Sequence, residues 1–222
     1  MDFTIFNRGA DFHPMSEENT TVAEALASNG FKTVGMTANM VIAGGVKFDL
    51  NVQQGFQTWK KGTDREVADF GVQQLDALQD ERFLLYLHMM GPHHPNSRAP
   101  GFESRRGTFS KSLPDAENHI YGEVNKGKRG LTDEEARYLR ALYADALWEA
   151  DAHMGRILDK LRATGLDKKT LVIVTSDHGE ALGDIHNGKP VWGHGHALKE
   201  PLLHVPLLVA GPGLPKGARE ET

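Results

Sequence analysis

The sequence predicts an α/β fold: a mostly parallel sheet flanked by helices on both faces. Three observations predict it. Helix and strand signals alternate along the chain, the strand segments are continuous apolar runs of the kind covered on both faces, and capping boxes mark where helices begin. Thr21-Val-Ala-Glu24 is the first capping box, opening a short helix that Gly30 closes in the left-handed conformation. Lys32-Thr-Val-Gly-Met-Thr37 follows as a buried strand. Thr63-Asp-Arg-Glu66 opens an amphipathic helix to about Leu78, and Phe83-Leu-Leu-Tyr-Leu87 is the next strand, ending at His88. Residues 91–130 hold no sustained period and carry Pro, Gly, Ser and charge, the mark of a long functional loop. Thr132-Asp-Glu-Glu135 starts a helix to about Arg162, with Leu139, Leu142, Ala146, Ala150, His153, Ile157 and Leu161 near one face. At ~1.5 Å per residue it spans roughly 45 Å. Thr170-Leu-Val-Ile-Val-Thr175 is the clearest strand, and Val205-Pro-Leu-Leu-Val209 the last, stopped by Gly211-Pro-Gly213.

Composition narrows the function classes. The chain has 222 residues, 39% hydrophobic and 25% charged, as in a soluble globular protein, with one domain or most of a larger one in its length. A net charge of −5 without a lysine run offers no stripe for nucleic acid, and no apolar run approaches the ~18 residues a membrane span needs. The N-terminus is neither a signal peptide nor a lipidation motif, so a cytoplasmic compartment is the default expectation. The chain has no cysteine, which removes disulfides, thiolate metal sites and a cysteine nucleophile.

Histidine is the compositional oddity. Seven of eleven fall within residues 88–94 and 178–196, where an even spread would put about one. Neutral imidazole ligates metals and imidazolium binds anions, so the clustering points to metal or phosphate-like chemistry. Both windows begin at strand ends, and in α/β sheets ligands bind beyond the carboxyl ends of strands. Asp177 and His178 there supply an oxygen and a nitrogen for a divalent cation, and Gly179 permits a tight turn; the plainer reading is a capped loop with an exposed histidine. His194, between Gly193 and Gly195, is placed to protonate a leaving oxygen or bind the oxygens of an ester, against a flexible polar loop as the plainer reading. Of the pair before Pro95, His93 is favoured over His94 to project into the cleft. His196 has a weaker claim, and His186 reads as solvent-facing. His88 suits a hydrogen-bonded core position, His153 the core or its boundary; His13, His119 and His204 have no partner identifiable in the sequence.

These residues resemble the sulfatase branch of the alkaline phosphatase superfamily. The resemblance lies in Leu171-Val-Ile-Val-Thr-Ser-Asp-His-Gly-Glu180, Gly193-His-Gly195 and Val205-Pro-Leu-Leu-Val-Ala-Gly-Pro-Gly213. Upstream it extends to Phe83-Leu-Leu-Tyr-Leu-His-Met-Met-Gly-Pro-His-His-Pro95, Asp151-Ala-His-Met-Gly-Arg-Ile-Leu158 and the segment 21–33, about 190 residues in all. The resemblance implies an alkaline-phosphatase-like fold, partial here. It implies a divalent cation, usually calcium, beside a formylglycine hydrate that attacks sulfur. The substrate implied is a small-molecule or carbohydrate sulfate ester, and the oligomeric state is left open. It also implies Asp177 and His178 as metal ligands, and His194 and His93 as contacts to the sulfate ester or its leaving oxygen.

Several features depart from the family. There is no Asp-Asp pair on a first strand and no Cys- or Ser-x-Pro-x-Arg motif, so no formylglycine is encoded. Gly91 replaces an aspartate, and the Asp-His pair replaces an Asp-Asn common in calcium sulfatases; imidazole shifts preference toward manganese or zinc. The expectation is therefore a partial catalytic domain over 1–222, with 91–130 as a long loop insertion, that does not turn over by itself. Phosphodiester or phosphonate monoester hydrolysis, and a catalytically dead remnant that binds a metal or anion, stay open as alternatives.

Overall fold

Residues 14–43, 50–110, 118–195, 198–215 and 217 are described by a computed structural model, so His13 and His196 lie outside the described residues. The chain divides into two compact units, Met1–Met90 with Ala152–Thr164, and Gly91–Asp151 with Gly165–Thr222.

The first unit is built on a parallel sheet. Helix α1 (Val22–Ser28) starts at the expected capping box: the Thr21 hydroxyl accepts from Glu24 N at 3.0 Å and Thr21 N donates to Glu24 Oε2 at 2.8 Å. Gly30, at φ 80°, turns the chain into strand β1 (Lys32–Thr37). Strand β2 (Thr58–Lys61), helix α2 (Asp64–Ala77, opened by the Thr63/Glu66 box) and strand β3 (Phe83–His88) complete it, in the parallel order β2-β1-β3. As the middle strand, β1 is buried on both faces from Thr33 to Thr37. Val34 pairs with Leu85 and Met36 with Leu87, and this face packs on Val67 and Phe70 of α2. On the opposite face Trp59 stacks on Tyr86, with ring centroids 5.9 Å apart. Gly35 leaves room for that ring, since a Cβ there would lie 2.6 Å from it. The buried Thr37 hydroxyl meets His88 Nδ1 at 3.0 Å, so His88 is a half-buried, hydrogen-bonded residue at the strand end.

The second unit holds helices α3 (Phe102–Arg106), α4 (Asn118–Asn125) and α5 (Asp133–Ala163), of which residues 152–164 count with the first unit. Strands β4 (Val172–Thr175), β5 (Ala181–His186) and β6 (Lys189–Gly193), helix α6 (Glu200–Leu203) and strand β7 (Leu207–Ala210) follow. Its core gathers Phe102, Phe109, Ile120, Tyr121, Val124, Tyr138, Leu139, Leu142 and Trp192. The segment 91–130, expected as a loop, therefore supplies two helices and much of this core. Helices this short are held by packing rather than propensity, so they leave little periodicity to read. Asp145, fully buried, is paired with Arg105 Nε at 2.7 Å.

The α/β class with a parallel sheet is as expected, but parallel pairing is confined to β1–β3. Strands β4 and β7 pair antiparallel, with Val172 opposite Ala210. As a two-stranded sheet they are both edges, and Ile173, Leu207, Leu208 and Val209 are exposed rather than covered on both faces. Among the described residues no helix is long and apolar enough to cross a membrane.

Candidate metal and anion site

Four imidazoles converge within the second unit. The rings of His178 and His194 have centroids 4.1 Å apart, His93 and His194 4.6 Å, His94 and His194 5.0 Å, and His93 and His178 6.1 Å. Sequence reasoning favoured His93 over His94; both rings enter the cluster, stacked on each other at 5.0 Å.

Three local structures bring them there. The buried amide of Asn96 donates to the carbonyls of Gly91 (2.9 Å) and His93 (3.3 Å), which pins the turn that carries His93 and His94. The β5–β6 hairpin carries His194. Its turn places Asn187 at φ 50° and Gly188 at φ 76°, the two left-handed residues of a tight hairpin turn. The register that results pairs Ala181 with Gly193, so Glu180 and His194 flank the open end side by side although fourteen residues apart. The Asn-Gly dipeptide was the available signal for this hairpin; the proline in Lys189-Pro-Val-Trp-Gly193 obscures the strand alternation. Third, Gly179 holds Asp177-His178 against the α6 segment. Its N–H donates to Leu202 O at 2.9 Å, and a Cβ would lie 2.1 Å from Pro201 O. Gly179 is thus required by close backbone approach and not by a left-handed turn, as its sequence position first implied.

Glu180 is the residue sequence reasoning missed. Its side chain, 5% exposed, takes His194 Nδ1 at 3.1 and 3.3 Å on its two oxygens. His94 Nδ1 lies 3.3 Å from the first oxygen, outside hydrogen-bond alignment. Burial pushes the Glu180 carboxyl up, but His194 and His94 outweigh it and bring the pKa from 4.5 down to about 2. Tyr121 of α4, packed at 5.0 Å on His94, is pushed up to about 12 by burial and then by the Glu180 charge. Burial also holds His93 below the ordinary 6.5, partly opposed by its bond to the His94 carbonyl. Trp192 lies under Tyr121, its backbone clamped by Asn125, which accepts from Trp192 N at 2.9 Å and donates to Trp192 O at 2.7 Å.

Asp177 and His178, the expected metal ligands, stand at the rim. Asp177 is 75% exposed, with Oδ2 3.9 Å from His178 Nε2. They offer one oxygen and one nitrogen facing each other, a fit for two positions on a divalent cation. Among the described residues the one group of three close potential ligands is His93, His94 and His194, one nitrogen from each lying within 4.8 Å of the others. His186 is not fully solvent-facing, being partly buried, and His204 is exposed and 3.4 Å from Glu200.

The site predicts a direction of acid sensitivity. The His93 pKa is lowered on folding, so below 6.5 the unfolded chain binds the proton more readily and stability falls as pH drops through that value. Glu180 is also lowered, so its contribution is present above 4.5 and lost as pH falls toward about 2. Urea midpoints across pH 2–8 should show two steps, and His93→Gln should remove the upper one; an upper step that persists in His93→Gln refutes the assignment.

Residues 5–222 match the model of the sulfatase family. The chain is 32% identical to arylsulfatase K of Bos taurus over 175 residues, 69% of this chain and 31% of the relative. It is 30% identical to the low-salt glycan biosynthesis sulfotransferase Agl7 of Haloferax volcanii over 164 residues, 72% of this chain and 35% of the relative. The chain thus spans about a third of the length of these curated relatives. Two solved structures share the fold. One is the C-terminal periplasmic domain of EptC from Escherichia coli in complex with Zn, with a TM-score of 0.63 at 15% identity, over 87% of this chain and 52% of that one. The other is BT4656 in complex with its substrate D-glucosamine-2-N,6-O-disulfate, with a TM-score of 0.60 at 17% identity, over 90% of this chain and 57% of that one. With the Asp177-His178 and His194 segments set in this fold, the chain belongs to the sulfatase family.

Proposed function

We propose that the chain carries the metal-binding and leaving-group part of a site for hydrolysing sulfate esters, with a small-molecule or carbohydrate ester as substrate and a divalent cation at Asp177 and His178; none of its residues is assigned as the nucleophile. The single observation that carries this is the convergence of His93, His178 and His194 around one point, with His194 anchored on the buried Glu180. A cation held there supplies charge to polarise an ester oxygen. The remaining work belongs to the chain's own side chains. The Nδ1–H of His194 donates to Glu180, which orients the ring; with Nε2 also protonated, its N–H donates to an ester oxygen and can pass that proton to the leaving oxygen. His93 contacts the charged non-bridging oxygens from the adjacent turn. The substrates of the relatives support the choice of ester: BT4656 is seen with a sulfated glucosamine, and arylsulfatase K is named for aryl sulfates.

The test is binding of an aryl sulfate and of a sulfated glucosamine, followed by calorimetry with the divalent cation present and with a phosphodiester measured beside them. His194→Ala is expected to weaken binding of the sulfate esters by about tenfold or more. Equal binding by His194→Ala, or preference for the phosphodiester, overturns the proposal.

A further inference from the structure

We propose that His93, His94 and His194 form a three-histidine site for a transition-metal ion of the zinc class, with Glu180 as its anchoring carboxylate. This site is separate from the Asp177–His178 pair; it shares His93 and His194 with the preceding reading, so at any one time those two rings serve either the ion or the ester oxygens.

The first argument is the hydrogen bonding. Two of the three rings are bonded through Nδ1, His194 to both oxygens of Glu180 and His93 to the His94 carbonyl, while His94 Nδ1 is buried without a hydrogen-bond partner, 3.3 Å from Glu180 Oε1. An imidazole whose Nδ1–H points at an acceptor presents its Nε2 lone pair, which is the ligating form; metal-bound histidines are held this way by carboxylates and carbonyls. The second is spacing. One ring nitrogen from each histidine lies within 4.8 Å of the others, close enough for a single ion with small movements. The third is burial. Side chains 18–23% exposed for His94 and His194, over a carboxylate 5% exposed, give a shielded pocket with one negative charge to offset the ion.

The donor set selects the ion. Three imidazole nitrogens suit zinc, with a fourth position open, and do not meet calcium's need for six to eight oxygens.

The test is zinc titration of the chelator-stripped chain in competition with a chromogenic chelator, with cobalt(II) absorption as the geometric readout. One zinc per chain and tetrahedral cobalt bands are expected. Glu180→Gln should weaken zinc by about 10–100-fold and His94→Ala by at least about 100-fold, while Asp177→Ala changes it little. Folding of each variant is followed by circular dichroism. Should His94→Ala not fold, His93→Gln, which keeps side-chain volume, is measured in its place with the same loss expected. Unchanged affinity in a folded His94→Ala or His93→Gln overturns the proposal, as does a loss confined to Asp177→Ala. A chain that binds zinc through these histidines and, when zinc-free, binds no sulfate ester refutes the ester reading alone.

Discussion

Replacing Gly179 by alanine is expected to destabilise the chain by roughly 3 kcal/mol and to lower zinc affinity by about 100-fold. The added Cβ lies 2.1 Å from the Pro201 carbonyl oxygen and 3.1 Å from its carbon. Both are backbone atoms, so no side-chain rotation relieves the overlap. The segment cannot slide away freely either, because Gly179 N is bonded to Leu202 O. Displacing it moves His178 on one side and Glu180 on the other, and with Glu180 goes the anchor of His194. Gly155 in α5 is the control. A Cβ there meets nothing within 4 Å, so Gly155→Ala should stabilise by about 0.5–1 kcal/mol through helix propensity. Urea unfolding and zinc titration of both variants check this; a Gly179→Ala chain as stable and as tight-binding as wild type would sink it.

Trp192→Ala should cost about 3–5 kcal/mol, the usual range for emptying the site of a buried aromatic ring. Trp192 is 2% exposed in the core of the second unit, with the Arg140 guanidinium 5.3 Å above its ring. Its ring stacks beneath Tyr121, and Tyr121 packs on His94. Removing it should therefore loosen the site as well, weakening zinc by about tenfold under conditions where the chain is still folded. Trp192→Phe keeps a ring under Tyr121 and should recover most of that affinity. Leu166→Ala separates the two effects. Leu166 is 1% exposed and outside this cluster, so it should cost about 2–5 kcal/mol without moving zinc affinity. Loss of affinity in Leu166→Ala equal to that in Trp192→Ala would reduce Trp192 to a stabilising role.

Where local chemistry decides structure, the sequence was readable. The threonine–glutamate boxes at Thr21, Thr63 and Thr132 each open a helix where expected, because both partners of the cap lie within four residues. The apolar runs at 32–37 and 83–87 are strands as expected, and the segments 21–33, 83–95, 151–158 and 171–213 together place the chain in its family. Helices α3 and α4 were not readable, since their buried residues satisfy a core formed with Tyr138, Leu142 and Trp192 rather than any local period. Strand β7 was read, but its antiparallel partner was not, because pairing direction follows from the whole intervening path.

By itself, then, the sequence determined the α/β class, the helix starts, the family, and a candidate site rich in histidine. The tertiary structure alone decided how the histidines are arranged. Hairpin register set His194 beside Glu180, the Asn96-pinned turn brought His94 in with His93, and the Pro201 carbonyl made Gly179 obligatory. Each of these is a contact between residues distant in sequence or fixed by an exact backbone path. Such contacts depend on loop closure and packing, which leave no periodic trace in the residues that make them.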